Sequence, residues 1–452
     1  MTPPECTHMK QLNQDGQSLL ARGWAQLLDF GVPVEPGEQR ALWLAFACYF
    51  ALLGDYYILR SVRDTMATLF DVAQLNYLFI GTFVLVLLGA PLYSALTARF
   101  RLAQLLPALF WFWLGNILLF ALLLRAVPAS RVVAACYFEW FSVVNLYLIS
   151  IFWTLMVELF NASQATRLFA FIAAGGSIGA IVGPLVTRSL VQRVGLDGLL
   201  LIAAAGFLLV IVLVQLLIRE KSQLRLHGVE AQRSTMDHAL PGNALAGFRQ
   251  LLARPYLQQQ ALFILLMTWV ATISYFLQTE VIARGLGSVA ARAVAIADID
   301  LVVNVATALV LIAGVGQFVR RFGLTATLVL NPLIMIAAFA ALVFAPTLFM
   351  VQLLQVVRRV TQYAIARPSR EICFAVLDQD TRYKAKNVID TTVYRFGDVS
   401  ASLLQAGLRA LGSGLLTVLA VGVAASALWG WAALTLGRRY ESLRREVQQA
   451  LK

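Results

Sequence analysis

Apolar and polar positions fall in long blocks along this chain. Apolar runs of about 20 residues, the length a helix needs to cross a bilayer, recur at 41–64, 76–97, 103–125, 132–158, 166–190, 197–218, 259–283, 295–318, 325–344, 347–366, 387–409 and 413–436. Each predicts a membrane-crossing helix, because an open sheet would leave backbone groups unpaired in lipid. The expected fold is therefore an all-α membrane protein with twelve spans. The longest break, 219–258, is rich in Arg, Gln, Ser and His and holds one short piece, Leu245–Leu252, that predicts a helix. It divides the spans six and six.

The two halves carry an echo of each other. Ser94-Ala-Leu-Thr-Ala-Arg99-Phe100 follows the second run, and Gly316-Gln-Phe-Val-Arg-Arg321-Phe322-Gly323 follows the eighth. Both place a small residue five positions before Arg-Phe. This resembles the loop between the second and third helices of each half in major-facilitator carriers, so a major-facilitator-like pair of six-helix pseudo-repeats is expected. The predicted organisation is a cytoplasmic N-terminal segment 1–40, with a short amphipathic helix around Ser18–Leu28, a bundle 41–218, a cytoplasmic linker 219–258, a bundle 259–436 and a tail 437–452.

Composition agrees. The 452 residues are 60% hydrophobic and 13% charged, against about 25% charged in soluble domains. A net charge of +12 would suggest nucleic acid for a soluble protein. Here the cations sit in short loops, among them Arg99, Arg101, Arg167, Arg219, Arg320, Arg321, Lys384 and Lys386, with Arg438, Arg439, Arg444 and Arg445 in the tail. That bias predicts both ends in the cytoplasm, the lipid bilayer as partner and no nucleic acid. No signal-peptide pattern opens the chain, so the first run is expected to remain as an anchor. Four scattered cysteines and three histidines outside the apolar runs predict no disulfide framework, no metal and no cofactor.

A charge inside a span costs at least ~2.5 kcal/mol on insertion scales, so each one is a candidate for function. Tyr56, Arg60 and Arg63 share one helical face at the end of the first run. Two guanidiniums on one stripe suit a phosphate or carboxylate, because each donates bidentately; snorkelling, or pairing with Asp55 and Asp64, is the other reading. Arg358 and Arg359 stand near mid-depth in the tenth run, where a surface explanation fits poorly. Glu139 and Glu158 lie in the fourth run, and Glu280 closes the seventh. Glu158 and Glu280 suit a pathway role and a structural pair equally. Asp298 and Asp300 open the eighth run and read as helix-start acids. Asp390, Tyr394, Arg395 and Asp398 follow at helical spacing, and Arg395 with Asp398 is an i, i+3 pair, either an internal latch or a substrate contact. The glycines of Gly175–Gly183 predict close helix packing rather than a phosphate loop. Nothing resembles a nucleophile with its base, and no enzyme is expected.

Taken in order, these residues resemble the bacterial and plastid nucleotide translocases, the Tlc-type ADP/ATP carriers. Tyr57-Ile-Leu-Arg60-Ser-Val-Arg63-Asp64-Thr65 is similar to that family's Y-x-I-L-R-D-T-K-D. Phe152-Trp153, Glu158 and Ala165-Thr-Arg167-Leu-Phe169 are similar to F-W-x-x-A-N-E … A-K-R-F-Y. Glu280 stands like the family's seventh-helix glutamate, and Arg320-Arg-Phe-Gly323 like its R-R-F-G. Arg367-Pro-Ser-Arg-Glu371, Tyr383-Lys-Ala-Lys386 and Ile389-Asp390 are similar to D-P-T-K-E … K-x-K-A-x-x-x-I-D. The resemblance implies an ATP/ADP antiporter of a bacterial inner membrane, working by alternating access. Under it Arg60, Arg63, Arg358 and Arg359 compensate phosphate charge, and Glu158, Glu280 and Asp390 hold those arginines when the site is empty. Arg395 joins the substrate-binding set, and a monomer is the expected working unit. Ser61 and Arg367 replace aspartates of the family pattern and Gln362 a lysine, which leaves other phosphorylated anions open. Two alternatives stand beside this reading: a proton-coupled transporter of another organic anion, and a non-transporting sensor or partner-binding subunit acting through 219–258.

Overall fold

The structure is a computed structural model that describes residues 34, 35, 37–99, 102–128, 130–226, 244–377, 381, 385, 386 and 388–450. The helix expected at Ser18–Leu28 and the Tyr383-Lys384 pair lie outside the described residues. No strand occurs among those described.

The described residues form twelve spans. The first four are Gln39–Ala67, Val72–Arg99, Leu102–Ala126 and Arg131–Leu159. The fifth and sixth form one run, Ala162–Leu226, broken at Gly195, whose φ of 70° is a left-handed value that favours glycine. A short linker helix, Ala244–Ala253, precedes the seventh span, Pro255–Gly285. The eighth is Val289–Ile312, and the ninth is the part of Val315–Phe344 beyond Gly323. The tenth comprises Leu348–Thr361, a wide π turn Gln362–Ala366, and Arg367–Phe374. The eleventh comprises a second π turn, Ile389–Val393, and Tyr394–Ala410. The twelfth, Leu415–Ala450, carries the expected tail as continuous helix.

Among the described residues nine helices are long and apolar enough to cross a membrane. One of them holds two spans. The other two spans, the tenth and eleventh, are those loaded with charge and opened by π turns. The first π turn lies just before Pro368, which has no N–H to donate to Ala364. Such turns are found at functional sites more often than elsewhere.

Side-chain caps fix several starts. Ser130 accepts from Val133 N, Ser288 from Ala291 N and Thr347 from Met350 N. The Ser288 cap corrects the sequence reading: the eighth span begins at Val289, not 295. Asp298 and Asp300 are therefore not helix-start acids but lie about three turns inside.

Each half has its own apolar core. One is centred on Phe110, Tyr137, Phe141 and Phe207, the other on Phe263, Phe339 and Trp429. In the first half the fifth span lies directly against the first, as the glycine stripe predicts. A Cβ on Gly179 would stand 2.1 Å from Phe50 O, and one on Gly183 2.4 Å from Gly54 O. Only a bare backbone allows that approach.

Antiparallel neighbours define two ends of the bundle. The near end holds the start of the first span and the end of the fourth. The far end holds the end of the first and the starts of the second, fourth and eighth.

Candidate functional site

The four arginines singled out in the sequence come together where the halves meet. Arg60 and Arg63 project from the far half of the first span, Arg358 and Arg359 from the tenth. Two carboxylates join them. Asp64 binds Arg63 Nη2 at 2.5 Å and Arg60 Nε at 3.5 Å. Asp300, with no exposed surface, binds Arg359 Nη1 at 2.6 Å and lies 4.0 Å from Arg60 Nη1. Asp300 thus ties both halves together and supplies the counter-charge that lets Arg359, 4% exposed, stay buried.

Arg358 differs from its three neighbours. Its guanidinium donates to Gln355 Oε1 at 2.8 and 3.3 Å and to Gln362 Oε1 at 2.9 Å. Among the described residues no carboxylate lies within ion-pair distance of it. Arg60, Arg359, Tyr363 and Tyr394 lie within its electrostatic range. Four guanidiniums against two carboxylates leave the group an excess of two positive charges. Two further donors, Nε and Nη2 of Arg359, are buried and make no hydrogen bond. An arrangement of this kind can accept an anion between the two halves, within the spans.

Aromatic rings frame the cations. Arg63 stacks over Phe138 (5.1 Å) and Tyr275 (5.9 Å), Arg60 over Tyr57 (5.7 Å), and Arg359 over Tyr363 (5.9 Å). The Tyr275 hydroxyl donates to Asp64 (3.1 Å), and the Tyr57 hydroxyl to Asn304 Oδ1 (2.9 Å). Asn304 Nδ2 in turn donates to Ala180 O (2.6 Å).

Further bonds between the halves lie toward the far end. Ser402 donates to Asn76 (2.7 Å), Arg292 to Thr68 O (3.2 Å), and Arg188 pairs with Asp298 (3.2 Å). An apolar plug of Leu75, Leu78, Phe138 and Phe276, lined by Phe79 and Tyr275, closes the same region. It draws on spans from both halves.

The acids assigned to the empty site stand elsewhere, which corrects that part of the sequence reading. Glu280 pairs at the far end with Arg284 (2.7 Å) and Arg409, not with the cluster. Glu158 lies near the opposite end. Phe152 stacks on Tyr49 of the first span, so helical rise puts Glu158 about 25 Å along the bundle from Arg60. Asp390 pairs with Arg370 (3.3 Å), beside Glu371 and Lys386, in a network of its own. Arg395 does pair with Asp398 (3.2 Å), which also accepts from Thr272 (3.1 Å). Asp64 and Asp300 hold the arginines instead. Asp300 was missed because the eighth span was started too late; Ser288 ahead of an alanine-rich run was the available signal.

The model of the major facilitator superfamily matches residues 45–360. None of the curated proteins compared with the sequence matches it. Among solved structures, the nucleoside transporter NupG is 15% identical, with a TM-score of 0.62 over 89% of this chain and 99% of that one. A bacterial homologue of the human lysosomal transporter Spinster, inward-facing and unoccupied, is 16% identical with a TM-score of 0.58 over 91% and 98%. A bacterial homologue of the iron transporter ferroportin, also inward-facing, is 15% identical with a TM-score of 0.59 over 88% and 99%. At such identities these structures share the fold alone. With twelve spans in two halves and a family match over most of its length, the chain belongs to the major facilitator superfamily and is a multi-pass membrane transporter.

Proposed function

We propose that this transporter carries a small phosphorylated anion by alternating access, with ATP/ADP exchange of the nucleotide-translocase kind as the specific reaction. The observation that carries the proposal is the excess of two positive charges among the described residues of the seam, where Arg358 is held by amide oxygens and by no described carboxylate. An incoming phosphate takes Arg358 first. It then competes with Asp300 for Arg359 and Arg60. Asp300 bridges the halves, so its release loosens the far-end closure. Binding of the anion and opening of that end are thereby linked through one carboxylate. With both ends of the chain in the cytoplasm, the closed far end faces outward and the site awaits solute from inside.

The test is exchange in liposomes carrying the purified protein. Labelled ATP is supplied outside, with ADP, inorganic phosphate or buffer inside. Uptake that needs internal ADP supports nucleotide exchange. Uptake that needs internal phosphate and ignores ADP moves the substrate to another phosphorylated anion. No uptake under any filling refutes the anion-carrier reading.

A further inference from the structure

An acid on the fourth span takes no part in the seam and has no cation paired with it among the described residues. Glu139 lies on the fourth span, next to Phe138 of the apolar plug, and is half-buried. Its Oε2 accepts from the Thr82 hydroxyl at 2.7 Å. Across the gap on the second span is Gly81, where a Cβ would stand 2.5 Å from Glu139 Oε1. A glycine and a hydroxyl side by side on one helix thus form a cradle for the carboxyl. Among the described residues no cation lies within ion-pair distance of it.

The charged groups around Glu139 are few. From the first span, Arg63 reaches it by its field alone, since its guanidinium is committed to Asp64. The second span offers Thr82. The third span faces this part of the fourth with Phe120, against Tyr137 and Trp140. Tyr137 donates to Leu59 O and is turned away. An ionised carboxylate in such surroundings carries the cost of an unpaired charge in the membrane, and protonation removes it.

Depth sets the carboxyl beside the plug. Thr82 lies three residues nearer the near end than Phe79 of the plug, about 4.5 Å along the helix. While the plug is shut, Glu139 stands on its near side. Parting Phe79 from Tyr275 and Phe276, its ring partners on the seventh span, would uncover it from the far side.

We propose that Glu139 is a proton-binding site through which the carrier couples solute movement to protons. Its carboxylate takes one proton from water on the far side, crosses the cycle as the neutral acid, and returns that proton to water on the near side. The proposal builds on the anion-carrier reading, to which it adds the coupling ion.

Two measurements test it on the full chain. The first needs no solute. Infrared difference spectra of the purified protein across pH should show a protonated-carboxyl band that fades as pH rises and is missing from Glu139→Gln. A spectrum the same in both proteins overturns the site. The second uses labelled ATP outside and ADP inside, with inorganic phosphate as an alternative internal filling. An acid-outside gradient should raise the accumulation ratio by about tenfold per pH unit, the limit for one proton per solute. Glu139→Gln should keep exchange without a gradient and lose the response to one. Thr82→Val removes a bond that favours the ionised form, so its pH profile should move to higher pH. Wild-type exchange blind to the gradient, or Glu139→Gln still driven by it, overturns the coupling alone. Absence of exchange with either filling defeats the anion reading, while the infrared result still decides whether Glu139 takes the proton.

Discussion

At the scale of single residues, partners decide what each arginine does. Arg359 is buried against Asp300, so removing either leaves an uncompensated charge. Asp300→Asn should cost about 3–5 kcal/mol of stability, read as a lowered unfolding midpoint in detergent. Among the described residues Arg358 has only amide partners. Arg358→Ala should leave that midpoint nearly unchanged yet weaken solute affinity by roughly 10–100-fold, the worth of a charge-assisted hydrogen bond of about 1.5–3 kcal/mol. Equal thermal losses in both variants would show that Arg358 is a structural residue. The four arginines were legible in the sequence because charge inside an apolar run stands out. Their counter-ions were less so. Asp64 lies one helical turn from Arg60 and could be named, whereas Asp300 is contributed by the other half, and no local spacing reveals a pair formed across 240 residues. Glu280 and Asp390 misled for a like reason: their partners, Arg409 and Arg370, are brought to them by packing that local spacing does not reveal, and Glu158 stands near the end of its span, away from the cluster.

At the scale of elements, backbone proximity and end ties set the geometry. The glycine face of the fifth span meets carbonyl oxygens of the first, and those cannot move aside as a side chain would. Gly179→Val should destabilise the protein by at least about 1–3 kcal/mol through overpacking; the same change at Gly115, where a Cβ meets nothing within 4 Å, serves as the control for helix propensity. The glycine run announced this contact in advance, since small residues at helical spacing in a membrane segment have that use. At the near end Glu38 ties the first span to the fifth through Arg167 (3.0 Å) and Gln164 (2.8 Å). Burial opposes the charge on Glu38, yet hydrogen bonds from Glu35 N, Gln164 and Arg167 outweigh it and hold the carboxyl below its ordinary range. A carboxyl with a lowered folded value stabilises fully above the usual range and loses that contribution as pH falls below about 4. The difference in thermal midpoint between wild type and Glu38→Gln should therefore shrink on acidification. The π turns of the tenth and eleventh spans were not foreseen, because periodicity over a few residues does not separate a wide turn from an α turn.

At the scale of the whole molecule, the two halves have separate cores and share a polar seam. Rocking of one half on the other needs the far-end ties to break and re-form. Arg188 and Asp298 join the fifth span to the eighth at 3.2 Å. Cysteines at both positions, in a background free of other cysteines, should arrest transport when bridged by a short thiol cross-linker and recover on reduction; transport that continues while bridged would exclude motion at this seam. The most direct measurement of the central claim is equilibrium binding of labelled ATP to the purified protein, comparing wild type with Arg358→Ala and with Arg409→Ala, whose partner is Glu280 outside the cluster. The seam account predicts that Arg409→Ala binds like wild type and Arg358→Ala binds at least roughly tenfold more weakly; wild-type affinity in Arg358→Ala would contradict it.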